Sequence, residues 1–210
     1  HAPSQLRMAA ARSLAQLHSQ GLGGPARTLA EQDVDGTLNA ILAIAMLSRH
    51  SDPVSVDLLE ELAARPTTAV QAEALVRLLD IDHTLVLPFA DSHASSPDVN
   101  VRRVIAEALW TSRDAIWIPL LSRFLNDVHP KFRRRVAGEL VRLAESESLR
   151  PTVISETTNV LNEDAWRGCE QAIVVLVNLD HQAVGDRFME LLYHPRGEVM
   201  TTAAWGLRRL

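Results

Sequence analysis

The densest group of chemically capable side chains is cationic: Arg102 and Arg103, then Lys131, Arg133, Arg134 and Arg135, then Arg142. Planar guanidinium groups grip carboxylate and phosphate oxygens in pairs, so such a cluster is equipped to hold an anionic group of a partner. Arg102 and Arg133 are 31 residues apart by subtraction, as are Arg103 and Arg134. If that interval is a structural repeat, the two pairs occupy matching positions and form a basic patch. Trp110 falls between the two runs and offers an aromatic face beside them. Arg102, Arg103, Trp110, Arg133, Arg134 and Arg135 are the candidate partner-binding residues. Trp117, Trp166 and Trp205 are expected to fill core or interface instead.

Other chemistries find little support. Histidines occur at 1, 18, 50, 83, 93, 129, 181 and 194. No two lie three or four residues apart, as a zinc pair on one helix requires, and they read as surface or turn residues. The single cysteine, Cys169, excludes an intrachain disulfide and a cysteine-built zinc site. It stands near an expected helix start, where a thiol can be activated. No histidine lies close in sequence, and a buried, inert thiol is the favoured reading. Glu145 to Ser148 reads as a solvated loop. Gly21, Gly23 and Gly24 have no strand before them; they read as a hinge-like linker and not as a phosphate loop, and no nucleophile elbow is present. These patterns predict no catalytic residue, no metal and no cofactor.

Composition agrees with a binding role of limited kinds. Of 210 residues, 47% are hydrophobic and 22% charged, the profile of a soluble protein with a substantial core. The net charge of −5 and a pI near 5.9 argue against nucleic acid as the main partner, because coating phosphates needs a cationic excess. No apolar run of membrane-spanning length is present, and no signal peptide is visible. Frequent Ala, Leu, Arg and Glu favour helix over strand.

The elements that must position the arginines follow from an internal period. One apolar column runs Leu14, Met46, Leu78, Leu109, Leu140, Leu176, Leu207, at intervals of 32, 32, 31, 31, 36 and 31 by subtraction. Four residues before these anchors stand Ala10, Leu42, Ala74, Ile105, Val136, Ala172 and Ala203. Three residues before them stand Ala11, Ala43, Leu75, Ala106, Ala137, Ile173 and Ala204. Apolar side chains at this spacing make one stripe of a helix. Pro66, Pro97, Pro130 and Pro195 precede the stripes and mark turns or first turns. Second amphipathic segments lie between them, at 54–64, 83–93, 114–126, 151–161 and 183–193. Pro88 and Pro119 fall inside two of these and should bend both.

The stretch Ser96-Pro-Asp-Val-Asn-Val-Arg-Arg-Val-Ile-Ala-Glu-Ala-Leu109 resembles the second-helix signature of HEAT repeats, in particular the short, phycobilisome-lyase-like variety. Gln5 to Leu17 and Val199 to Leu210 are similar. Asn39 and Cys169 depart from it, standing where the family usually has arginine, and about five extra residues occur near Glu145 to Thr158. The resemblance implies an all-α fold, a right-handed α-solenoid superhelix of about six to seven HEAT-like helical hairpins. It would form a single repeat domain over 1–210, cut from a longer chain. It also implies that the second helices line a concave surface, where the arginines would face inward. The same resemblance supports a structural alternative, in which Arg102 and Arg133 bridge neighbouring repeats through acidic turn residues, Asp98 or Asp127.

The leading functional expectation is a non-catalytic scaffold or adaptor that holds a protein or peptide partner, best an acidic one, on the concave groove. A second is an enzyme similar to HEAT-like alkylpurine DNA glycosylases, using arginine, tryptophan and Asp114; the acidic pI and the lone Lys131 oppose it. A third, a tetrapyrrole lyase-like accessory, rests on the repeat subtype alone. Exposed apolar ends predict end-to-end self-association of the fragment.

Overall fold

The computed structural model describes residues 4–16, 21–32 and 37–210, and every regular element among them is helical. His1, Leu17 and His18, named above, lie outside the described residues. The helices are α1 (Ser4–Gln16), α2 (Gly23–Glu31), α3 (Leu38–Met46), α4 (Pro53–Ala63), α5 (Thr68–Ile81), α6 (Ala90–His93) and α7 (Val99–Ser112). They continue as α8 (Ile118–Arg123), α9 (Pro130–Leu143), α10 (Arg150–Leu161), α11 (Trp166–Asn178), α12 (Gly185–Leu191) and α13 (Gly197–Leu207). The odd-numbered helices carry the apolar columns. The even-numbered ones are their hairpin partners.

Proline decides the shape of two partners. Pro88 sits in a 3-10 turn, Leu87–Phe89, that follows another, His83–Leu85, before α6 begins. Pro119 opens α8, which is flanked by the 3-10 turns Ala115–Trp117 and Phe124–Asn126. A missing N–H and a ring against the preceding turn break the helix at both sites, a stronger interruption than the bend the spacing predicts.

The chain divides into two compact units, His1–Ala108 and Leu109–Leu210, with the division inside α7. In the first unit α3 lies between α1 and α5, α2 packs on α3, and α4 packs on α5 and α2. In the second, α11 lies between α9 and α13, α10 packs on α11 and α8, and α12 packs on α13. Within each unit a hairpin buries its stripe against the next, which is how a repeat with no core of its own gains stability. Met46, Leu78, Leu109, Leu140 and Leu176 are all buried, whereas Leu14 is 39% exposed.

Two local expectations are corrected. The glycine-rich segment is not a linker throughout, because Gly23 and Gly24 begin α2. Only Gly21, at φ +104°, makes the turn that glycine favours. A Cβ at Gly23 would come within 2.9 Å of Val54 Cγ1, so its bare backbone lets α2 approach α4. The buried stripe of α2 is Ala26 and Ala30, too small to announce a helix by periodicity. His93 is not a surface residue: it is buried, with Nε2 3.0 Å from the Ala63 carbonyl and Nδ1 2.7 Å from Ser92 Oγ.

One position recurs as a turn lock. Seven residues before the anchor, Gln71 Nε2 donates to Arg65 O at 2.6 Å and Arg102 Nη1 to Ser96 O at 2.7 Å. In the same register Arg133 Nη1 donates to Asp127 O at 3.4 Å and Cys169 Sγ to Glu163 O at 3.1 Å. Every acceptor lies six residues upstream. The carbonyls that lead into each odd-numbered helix have no ladder partner and need a donor from elsewhere.

Candidate functional site

Helix α9 begins at Pro130, whose fixed φ suits a first helical position, and carries Lys131, Arg133, Arg134, Arg135 and Arg142 against one carboxylate, Glu139. Its first turn holds no acidic residue, and the preceding His129 makes no side-chain cap. Cations at a helix N-terminus face the positive end of the macrodipole, each costing about 0.3–1 kcal/mol where the same position would favour an anion. Lys131 in the first turn therefore opposes the local field, whereas Arg142 in the last turn complements it.

The six candidate residues separate into four situations. Arg102 and Arg133 are buried, each below 10% exposure, and lock their own turns as described. Arg102 also donates to Pro97 O at 3.1 Å, while Arg133 reaches Glu170 on α11 at 3.5 Å and so ties α9 to the next hairpin. Arg103 is half-exposed on the first-unit part of α7, its Nη1 3.4 Å from Asn100 Oδ1. In the second unit the structure brings Trp110 and Arg135 together, with the guanidinium carbon 5.1 Å from the ring centroid, inside cation–π range. Arg134 is exposed, and among the described residues no hydrogen bond or ion pair engages its guanidinium.

Arg134 borders a groove of about 590 Å³ between α9 and α11. One wall is Arg134, Gly138 and Val141; the other is Glu170, Val174 and Asn178. Each set is spaced by three or four residues, so each is one helix face. Ala137 and the 4% exposed Gln171 also line it. Asn178 Nδ2 donates to Val174 O at 2.7 Å, which leaves its carbonyl oxygen to accept. The groove thus combines the exposed Arg134, the Arg133–Glu170 ion pair, an apolar stripe and two primary amides.

Sequence reasoning did not find the α11 wall. Its signal was available: Arg134 and Glu170 stand six residues before their anchors, Gly138 and Val174 two before, and Asn178 two after. The first unit has a groove in the same register, about 390 Å³, between α1, α3 and α5. Arg12, Arg49 and Arg77 there alternate with Glu73 and Asp80, so its charge is mixed. Burial lowers the pKa of Arg77, which donates to Leu47 O at 2.9 Å and His50 O at 3.0 Å and closes the end of α3.

The other chemical candidates are engaged locally. Asp114 accepts from Ile116 N at 3.0 Å and caps its own turn. Burial pushes the Cys169 thiol up from its ordinary pKa, the reverse of what a nucleophile requires. Trp166 is half-buried and carries two guanidinium groups, Arg167 at 4.6 Å and Arg196 at 5.1 Å, and Trp205 carries Arg209 at 5.3 Å. Among the described residues no three His, Cys, Asp or Glu side chains gather as a metal would need, and no helix is long and apolar enough to cross a membrane.

No protein-family model and no curated protein matches the chain. Among solved structures, an engineered protein is similar at 18% identity with a TM-score of 0.41, covering 95% of this chain and 96% of its own. A designed armadillo repeat protein, YIII(Dq)4CqI, is similar at 15% identity with a TM-score of 0.36, covering 100% of this chain and 95% of its own.

Proposed function

We propose that this chain is a non-catalytic interaction scaffold of the HEAT-like class, a right-handed superhelix of about six to seven hairpins, and that the groove between α9 and α11 holds an acidic segment of a protein partner. The observation that carries the reading is Arg134, an exposed and unpaired guanidinium at the rim of that groove. Arg135 and Trp110 extend the surface, since stacking on the ring pre-organises the guanidinium. Arg102 and Arg133 serve by holding the turns from which the exposed arginines project.

The test is binding of a fluorescein-labelled oligoglutamate peptide followed by anisotropy. Binding that weakens with salt, and that is lost in an Arg134→Glu, Arg135→Glu double variant of unchanged helicity, supports the reading. Equal binding by that variant removes it. Salt-sensitive binding of duplex DNA in preference to the peptide would favour a nucleic-acid partner instead.

A further inference from the structure

Helix α9 places Gly138 ninth among its fourteen residues. Glycine inside a helix is destabilising relative to alanine, because it surrenders more backbone freedom on folding. Elsewhere the chain shows why such residues are glycine. A Cβ at Gly168 would come within 2.9 Å of Val160 Cγ1, and one at Gly206 within 2.9 Å of Phe188 Cε2. Gly24, Gly185 and Gly197 stand in the first turns of their helices. Gly138 has neither reason. It is exposed, and a Cβ there would meet nothing within 4 Å. Nothing inside this unit requires the side chain to be missing, and the space it leaves opens into the groove beside Arg134.

Resting on the reading of the groove as an acidic-segment site, we propose that Gly138 is where the main chain of an extended acidic peptide lies directly against α9. Arg134, one turn earlier on the same face, then meets a carboxylate of that peptide. Across the gap the Asn178 amide oxygen is placed to accept from a main-chain N–H of an extended strand, and the Glu170 carboxylate on the same wall is matched by Arg133 at 3.5 Å. A partner helix, about 10–12 Å across with its side chains, would ride on the rims and gain nothing from a bare backbone below. Close main-chain approach is the circumstance that selects glycine.

The experiment compares Gly138→Ala and Gly138→Leu with the unmodified chain, measuring urea unfolding and anisotropy of the labelled oligoglutamate. The proposal expects Gly138→Ala to unfold at higher urea yet bind about tenfold more weakly, and Gly138→Leu to bind more weakly still without loss of stability. Opposite signs for stability and binding are what a purely structural role does not produce. Wild-type affinity in Gly138→Ala, while Arg134→Glu abolishes binding, overturns the main-chain contact and leaves the groove reading standing. Unchanged binding in Arg134→Glu removes the groove reading and this inference with it. A Gly138→Ala variant less stable than the parent shows an internal reason for the glycine and overturns the inference alone.

Discussion

The Cys169 thiol donates to the main-chain carbonyl of Glu163 at 3.1 Å, six residues upstream. It does for the turn before α11 what Arg133 does for the turn before α9. A cysteine is thus a small substitute for an arginine in a structural column, and its surroundings are read from that role. Truncation to alanine removes both the donor and buried volume and is expected to cost about 1–3 kcal/mol. Cys169→Ser keeps a donor and should lose less. Urea midpoints of the two variants check the order.

The same residue predicts a pH dependence. Burial, the largest cause, raises the folded thiol pKa, so the folded chain holds a proton that the unfolded chain releases at ordinary thiol pH. Stability from this source is present below the unfolded thiol pKa and falls as pH rises through the thiol range toward the folded value. Unfolding measured on the alkaline side should show that decline in the parent and lack it in Cys169→Ser.

At the other end of the pH scale, Asp52 caps α4 by accepting from Ser55 Oγ at 2.7 Å and Ser55 N at 3.1 Å. These hydrogen bonds, the side-chain one foremost, hold its pKa below the usual value. Its stabilisation is present above the unfolded carboxyl pKa and is lost as pH falls through the folded one. Asp52→Ala should cost about 0.5–2 kcal/mol near neutrality, with the difference from the parent shrinking in acid. Thermal unfolding at two pH values measures it.

Anchor residues separate by position. Leu140 is fully buried between stacked hairpins, and Leu140→Ala should cost about 2–5 kcal/mol. Leu14, 39% exposed, has less area to lose, and the same truncation should cost about 1 kcal/mol or less. Chemical denaturation of both tests the stacking directly. Equal losses would contradict it.

Glycine at a helix contact behaves oppositely to glycine at the groove. At Gly206 a Cβ would lie 2.9 Å from Phe188 Cε2, 3.0 Å from Cδ2 and 3.1 Å from Ile173 Cγ2, with a buried ring unable to retreat freely. Gly206→Ala is expected to destabilise by about 1–3 kcal/mol through overpacking. Circular dichroism during thermal unfolding suffices to read the shift.

The repeat was legible in the sequence because it is a local property written many times. Leucine at 78, 109 and 140 with small or aliphatic residues three and four before it describes a helix stripe that buries itself in any stack. Pro88 and Pro119 foretold interrupted helices, though as bends and not as breaks, for an equally local reason, a missing N–H. Where a signal was weak, as in the alanine stripe of α2, periodicity passed over a real helix. The exposed arginines were legible as residues, but their division of labour was not. Only packing decided that Arg133 turns inward to Asp127 and Glu170, that Arg135 lies over Trp110, and that Arg134 is left to the solvent. Spacing assigns a residue to a face of its own helix. What stands opposite that face depends on the neighbouring hairpin, and for α9 that is α11, with Glu170, Val174 and Asn178 arriving from more than 30 positions away along the chain to make the second wall.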